Sequence, residues 1–345
     1  MFKDLVGNVH VKKTLHHLIV KGRVPNSLLL AGDEGIGKRQ FAIELCRSLI
    51  CIDLRDGEAC GVCPACRRVG NFTLPKPDDK DAHKRVIFSD HPDVGMVIAY
   101  NRNISVEAIR HLESEANFRP YEARSRFFII DNADKMNDAA ANALLKTLEE
   151  PPEGSHIFLI TSRPDSLLPT IRSRCQTLRF APVSTSEIEN FLVADRAFTH
   201  DEAKLAARLS RGSIGRAVSI NIEKFRQRRD RMLAVVANTL ETGDRAALLR
   251  ISEEMNDAKN KDSFEESIDV LASLLHDVWT LRVSGDEARV VNSDLTERLV
   301  GLSRNSASGQ IPSWLADIDT MRENFAVNIN RKIAADALFV SMATT

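Results

Sequence analysis

At 345 residues the chain is long enough for two or three domains that each bury a core of their own. Its 47 Lys and Arg balance 48 Asp and Glu to a net charge of −1, which excludes a globally basic nucleic-acid binder; any DNA contact is local or made through partners. No apolar run approaches the roughly 18–20 residues that span a bilayer, and Met1-Phe2-Lys3-Asp4 lacks the basic-then-apolar order of a secretory leader. The expected compartment is therefore the cytoplasm, with no membrane partner.

Up to about residue 180, short apolar runs alternate with helical patterns, as in a parallel sheet wrapped by helices. Ser27-Leu28-Leu29-Leu30 reads as a buried strand that enters the glycine-rich turn Gly32-Asp33-Glu34-Gly35-Ile36-Gly37-Lys38. A helical pattern follows to Ile50, with Phe41, Leu45 and Leu49 on one face. A strand, a glycine turn and a helix opening on Lys form a phosphate cradle. Gly32, Gly35 and Gly37 let backbone N–H groups point inward, the helix N-terminus is partly positive, and Lys38 adds a full charge. Arg39 departs from the pattern. It occupies the position of the Ser or Thr whose hydroxyl ligates the Mg²⁺ of a bound nucleotide, and a guanidinium cannot coordinate a metal.

Four of the six cysteines cluster as Cys51-x8-Cys60-x2-Cys63-x2-Cys66. In a reducing compartment that spacing predicts a closed tetrahedral site for structural zinc rather than disulfides, while Cys46 and Cys175 read as plain thiols. The segment Thr73-Leu74-Pro75-Lys76-Pro77-Asp78-Asp79-Lys80-Asp81 reads as a charged surface loop.

Phe127-Phe128-Ile129-Ile130 is a second buried strand ending at Asp131-Asn132-Ala133-Asp134. Asp131 fits the residue that holds a metal shell, but Asn132 stands where a water-activating Glu is expected and cannot accept a proton. Two defects thus fall on one reaction. Asn137 to Glu150 is an Ala- and Leu-rich helix stopped by Pro151-Pro152, and His156 to Ile160 is a third strand that ends at Thr161. Arg174, in Ser173-Arg174-Cys175, reads by its own chemistry as an ordinary surface ion pair. Leu178-Arg179-Phe180 is a short fourth strand.

After Pro182 only helical patterns remain. Ser184-Thr185-Ser186-Glu187 and Thr199-His200-Asp201-Glu202 are capping boxes, and Gly212-Ser213-Ile214-Gly215 leads into another helix. The expected division is an α/β domain over 1–180, a small helical domain over 181–221 and an all-α domain over 222–345. The basic stretch Lys224, Arg226, Arg228, Arg229 and Arg231 reads as a solvated helix surface rather than a DNA-binding face.

Taken in order, these segments resemble the clamp-loader branch of the AAA+ ATPases. The resemblance begins at Phe2-Lys3-Asp4-Leu5-Val6-Gly7 and includes the phosphate loop, the four cysteines, His91-Pro92-Asp93 and Ile104 to Arg110. Its most specific blocks are Ala139 to Pro152 and Leu167 to Cys175; the C-terminal third is similar only loosely, mainly at Asn328-Ile329-Asn330-Arg331. The resemblance implies an AAA+ P-loop domain with an embedded zinc module, a helical lid and a C-terminal collar, in a five-membered ring that loads a sliding clamp onto primed DNA. It implies that Arg174 reaches into the ATP site of an adjacent motor subunit, that Thr161 falls at a sensor position and that Arg216 lies near a second sensor in the lid. Motor subunits of gamma/tau type and a delta-like subunit are the implied partners. Arg39, Asn132 and the absence of the extensions that lengthen motor subunits point to a non-hydrolysing member, whose own binding of ATP stays open. The rival readings are an active motor ATPase and a zinc-dependent nucleic-acid binder.

Overall fold

The computed structural model describes residues 1–196, 198–256, 264–307, 309–324 and 330–344. The chain divides into two compact units, Met1–Ser219 and Ile220–Thr345.

In the first unit, α1 (Val9–Val20) precedes β1 (Ser27–Ala31), α2 (Lys38–Ile50) and the short α3 (Pro64–Arg68). Then come β2 (Ile87–Phe88), β3 (Val94–Val97), α4 (Val106–Ala116), β4 (Arg126–Ile130), α5 (Asp138–Glu149), β5 (Ser155–Thr161), α6 (Pro169–Arg172) and β6 (Gln176–Arg179). The strands form one sheet in the order β2-β3-β4-β5-β1-β6, in which only β2 runs antiparallel. Because side chains alternate across a sheet, each buried strand serves two cores. Leu28, Leu30, Phe127, Ile129, Phe158 and Ile160 pack with Leu15, Phe41 and Leu45 from α1 and α2. Leu29, Ala31, Phe128, Ile130, Ile157 and Leu159 pack with Ile109, Leu112 and Leu144 from α4 and α5.

The four strands legible in the sequence are present within a residue or two. The two missed strands are short: β2 has two residues, and Gly95 interrupts the apolar run of β3. Nearby, the buried Asp93 carboxylate accepts the N–H groups of Tyr121, Glu122 and Ala123, each at 2.8 Å, so His91-Pro92-Asp93 organises the entry to β4. Residues 73–81 carry no helix or strand; Asp79 ties their end down by accepting from His83 Nδ1 at 2.6 Å and from the Ala82 amide at 3.0 Å.

Three helices complete the first unit: α7 (Thr185–Asp195), α8 (His200–Leu209) and α9 (Ile214–Ser219). Both capping boxes form, at Ser184 with Glu187 and at Thr199 with Glu202. Residues 184–219 thus belong to the same compact unit as the sheet.

The second unit contains α10 (Ile222–Glu241), α11 (Arg245–Asn256), α12 (Phe264–Ser284), α13 (Thr296–Asn305), α14 (Gln310–Asn324) and α15 (Arg331–Met342), with no strand among its described residues. Its core includes Phe264, Leu271, Leu275, Trp314 and Phe339. Asn330 caps α15 by accepting from the Lys332 and Ile333 amides; Asn328 and Ile329, the other part of the C-terminal similarity, lie outside the described residues. No helix among the described residues is long and apolar enough to cross a membrane.

A half-buried imidazole contributes to the acid sensitivity of the first unit. His156 stacks on Phe127 with ring centroids 5.2 Å apart, and its Nδ1 donates to Pro25 O at 3.0 Å. Burial pushes its pKa below the usual 6.5, against the opposing pull of that carbonyl. Below about pH 6.5 the unfolded chain therefore takes up a proton that the native state resists, and stability falls as pH falls. His156→Phe, which keeps the stack, is expected to flatten this loss in urea titrations between about pH 6.5 and 5.

Candidate functional site

The end of β1, the turn at 32–37 and the first turn of α2 meet a cleft of about 520 Å³ beside the C-terminal edge of the sheet. This is where ligands of open α/β sheets bind. The cleft is lined by Gly35 to Phe41, Asp131 and Asn132, with Leu5, Val6 and Ile214 among its apolar walls. The N–H groups of residues 33–37 donate to no other group among the described residues, which leaves them open to an anion. Gly35 has φ +76°, and a Cβ there would lie 2.3 Å from Ser213 Oγ. Its carbonyl accepts the Gly215 N–H at 2.8 Å, which joins the turn to the start of α9.

The charged groups are arranged differently from a working hydrolase. Lys38 is 6% exposed and its Nζ donates back to Gly32 O and Asp33 O, both at 2.6 Å. Burial pushes its pKa below the ordinary lysine value, against the attraction of Asp131, Asp33, Glu34 and Asp134. Arg39 extends from α2 to the Asp131 carboxylate at the end of β4 and forms an ion pair with it. The pair lies where the hydroxyl and the carboxylate of a P-loop site would share a metal ion. A guanidinium there neutralises the acid and gives no ligand.

Asn132 lines the cleft with φ 54°, a left-handed conformation that Asn tolerates better than most residues. Its identity therefore has a backbone reason as well as a chemical consequence. Thr161 is fully buried; its hydroxyl donates to Asp134 Oδ1 at 2.8 Å and accepts from the Arg163 amide at 3.0 Å. Arg163 also binds Asp134 Oδ2, through Nε at 3.2 Å and Nη2 at 3.0 Å. With its one proton held by Asp134, Thr161 has none for a phosphate. Arg216 is exposed on α9 and does not line the cleft; Arg196, stacked on Phe191 at 5.8 Å, does.

Asp134, Arg163 and Arg196 were not singled out as site residues from the sequence. Asp134 was visible as the second acid of its motif. Nothing local marks Arg163, whose partner Asp134 comes from another element, and the Arg196 contact with Phe191 on the preceding helix does not by itself point to a cleft.

Arg174 sits between α6 and β6, and thus at the N-terminal end of a strand. β6 pairs in parallel with β1 from Leu28↔Gln176 to Ala31↔Arg179, and the phosphate loop leaves the other end of β1. At ~3.3 Å per residue the paired strands place roughly 13 Å or more between Arg174 and the cradle. Arg174 accordingly does not line the cleft of its own chain. Its guanidinium donates to Thr170 O at 3.0 Å and pairs with Glu149, so the surface ion pair read from its chemistry is present.

The four cysteine thiols lie at the end of α2, in the following turns and on α3, with all Sγ atoms within 4.8 Å of one another. The Cys60 amide donates to Cys51 Sγ at 3.2 Å, and the Cys63 and Cys66 amides donate to Cys60 and Cys63 Sγ at 3.4 Å. Burial pushes the Cys63 thiol up, but backbone N–H groups of Cys66 and Ile52 and neighbouring thiols outweigh it and bring its pKa down to about 6. A metal with bonds of ~2.3 Å to sulfur needs S···S edges of roughly 3.8 Å. The Cys60–Cys66 separation of 4.0 Å is close to that, and with all four thiols within 4.8 Å of one another the cluster could hold a metal ion. By contrast, burial raises the thiols of Cys46 and Cys175, the latter to about 12, as suits inert core residues.

In the basic stretch on α10, Arg228 pairs with Glu266 and Arg229 grips Asp294 through two bonds of 2.7 Å. These two cations are used within the second unit.

A family profile described as DNA polymerase III, delta subunit, matches residues 7–184. The chain is 27% identical to DNA polymerase III subunit delta' of Bacillus subtilis, over 93% of this chain and 91% of that one. It is 28% identical to the Escherichia coli protein of the same name, over 90% and 87%. The tau subunit of B. subtilis is 30% identical over 54% of this chain and 30% of its own length. Among solved structures, a gamma subunit-related protein from Thermotoga maritima aligns with 96% of this chain and 98% of its own at TM-score 0.47 and 20% identity.

The Arg39–Asp131 pair is open to direct measurement. Arg39 is 42% exposed and Asp131 only 6%, so the coupling lies between a surface pair and a buried one. A double-mutant cycle with Arg39→Ala and Asp131→Ala, followed by urea unfolding, is expected to give a coupling of about 1–2 kcal/mol. A value near zero would mean that the cation does not hold the acid in solution.

Proposed function

The chain belongs to the DNA polymerase III delta-subunit family, and on that premise we propose that it is a delta-prime-type, non-hydrolysing subunit of the replicative clamp loader. It enters nucleotidyl transfer only as a component of the DNA polymerase III holoenzyme. The observation that carries the reading is the Arg39–Asp131 ion pair, which takes the place of the magnesium shell in a P-loop of otherwise ordinary shape. Asn132 offers no general base and the Thr161 proton is committed to Asp134. Of the candidate nucleotide-binding set, Gly32, Gly35, Gly37, Lys38, Asp131, Thr161 and Arg216, what remains suited to an anion is the row of open loop amides. They could keep a nucleotide only without its metal.

In this reading the AAA+ domain covers 1–180, the helices of 181–221 form a lid and those of 222–345 form the collar of the ring. Arg174 is an arginine finger for the ATP of an adjacent gamma/tau-like motor subunit. Its place at the opposite end of the parallel strands from its own cradle supports a role in trans. A delta-like subunit completes the set of partners, and the sliding clamp and primed DNA are handled by the assembled complex in the cytoplasm. The cysteines hold structural zinc, which would fix the turns between α2 and α3 and take no part in hydrolysis.

The purified chain is expected to turn over no ATP with Mg²⁺. Added to motor subunits, it is expected to raise their clamp- and DNA-stimulated ATPase. Arg174→Ala should leave assembly intact and slow hydrolysis at the neighbouring site by roughly 10³-fold or more. Turnover by the lone chain that Lys38→Ala abolishes would instead identify a motor subunit, and unchanged ATPase in the Arg174→Ala complex would remove the finger. Elemental analysis should find one zinc per chain, lost in Cys63→Ser with a fall in thermal stability. Salt-sensitive DNA binding by the lone chain that disappears with a chelator would favour the nucleic-acid-binding alternative.

A further inference from the structure

The Arg174 guanidinium is anchored through two of its five N–H donors. Nη1 donates to Thr170 O at 3.0 Å and Nη2 donates to Glu149 Oε1. A guanidinium has five N–H donors, and the other three have no partner among the described residues. Both anchors stand on fixed structure. Thr170 belongs to α6, held in the core by the fully buried Ile171. Glu149 is the last residue of α5, whose Leu144 and Leu148 are buried and whose end is set by the Glu150 N–H bond to Lys146 O at 3.0 Å. Pro151 and Pro152 follow, so the helix cannot extend and carry Glu149 away. The C-terminal end of α5 is also the negative end of its dipole, which favours a cation there.

We propose that Glu149 is the positioning residue for Arg174: it fixes the guanidinium so that its free donors face an anionic phosphate group on the adjoining chain. This rests on the trans role given to Arg174 above. An arginine without such an anchor spreads over many rotamers, and phosphoryl transfer is sensitive to small displacements of the group that stabilises its charge. One carboxylate carries a single charge and satisfies one edge of the guanidinium. A terminal phosphate carries more charge and can take the remaining donors. Glu149 therefore orients the arginine without displacing the phosphate. With Arg174 33% and Glu149 50% exposed, the pair adds little to folding, so its loss leaves the subunit intact.

The test uses the complete clamp loader reconstituted with variant subunits, and reads ATP hydrolysis as kcat and KM. The relevant quantity is the share of turnover that Arg174→Ala abolishes. Glu149→Ala is expected to lower that share roughly 10-fold in kcat, with KM for ATP within about two-fold of the parent. Glu149→Gln, whose amide oxygen still accepts, should recover most of it, and Glu150→Ala next door should have no effect. Thermal stability and subunit stoichiometry should match the parent for all three. Parental kcat in Glu149→Ala, with Arg174→Ala still defective, overturns the positioning role alone. An increase in kcat overturns it too, since Glu149 would then be a competitor of phosphate. Loss of assembly or no recovery in Glu149→Gln assigns Glu149 to structure and also overturns it. If Arg174→Ala itself has no effect, the trans reading fails first and there is nothing for Glu149 to position.

Discussion

The Arg39–Asp131 pair joins the first turn of α2 to the end of β4 across the intervening β5, and it determines the chemistry possible at the mouth of the sheet. An Asp at that position has two ways to be neutralised inside the protein: by a metal ion that needs further ligands and a bound nucleotide, or by a cation supplied from the chain. The second needs no ligand to be present. The guanidinium is part of the chain, so the acid has a matching charge with no ligand bound. The cradle beside it keeps its geometry because glycine conformations and the Gly215 contact maintain the turn whether or not phosphate is bound.

The parallel sheet gives the first unit two chemically distinct ends. Strands β1, β4 and β5 deliver Gly32, Asp131 and Thr161 to one end. The segment before β6 presents Arg174 at the other. A parallel arrangement makes this separation unavoidable, since all C-terminal ends lie together. An arginine just ahead of β6 therefore lies far from the glycine turn that leaves the other end of β1.

The cysteine cluster solves a different problem. Between α2 and β2 the chain has little regular structure beyond the short α3, and few apolar side chains to bury. Four thiols supplied from the end of a helix, two turns and another helix can be tied by one metal ion more firmly than by so small a core. Their separations and amide partners are compatible with that use.

Much of this was legible residue by residue. The buried strands were read from uninterrupted apolar runs, the caps from Ser184 and Thr199, the tight turn before α2 from its glycines and the convergence of four cysteines from their spacing, because each depends on forces acting over a few neighbouring residues. Strands β2 and β3 were not, being too short for a periodic signal. The sequence by itself determined that Arg39 could not ligate a metal, that Asn132 could not act as a base and that four thiols could converge. Only the tertiary structure decided that Arg39 meets Asp131, 92 residues away, that Thr161 is turned toward Asp134, that Arg216 stays outside the cleft and that Glu149 holds Arg174. Such partners are set by strand order and helix packing. A sequence states which charges a chain carries, but the fold selects which of them share a dielectric environment and come within bonding distance.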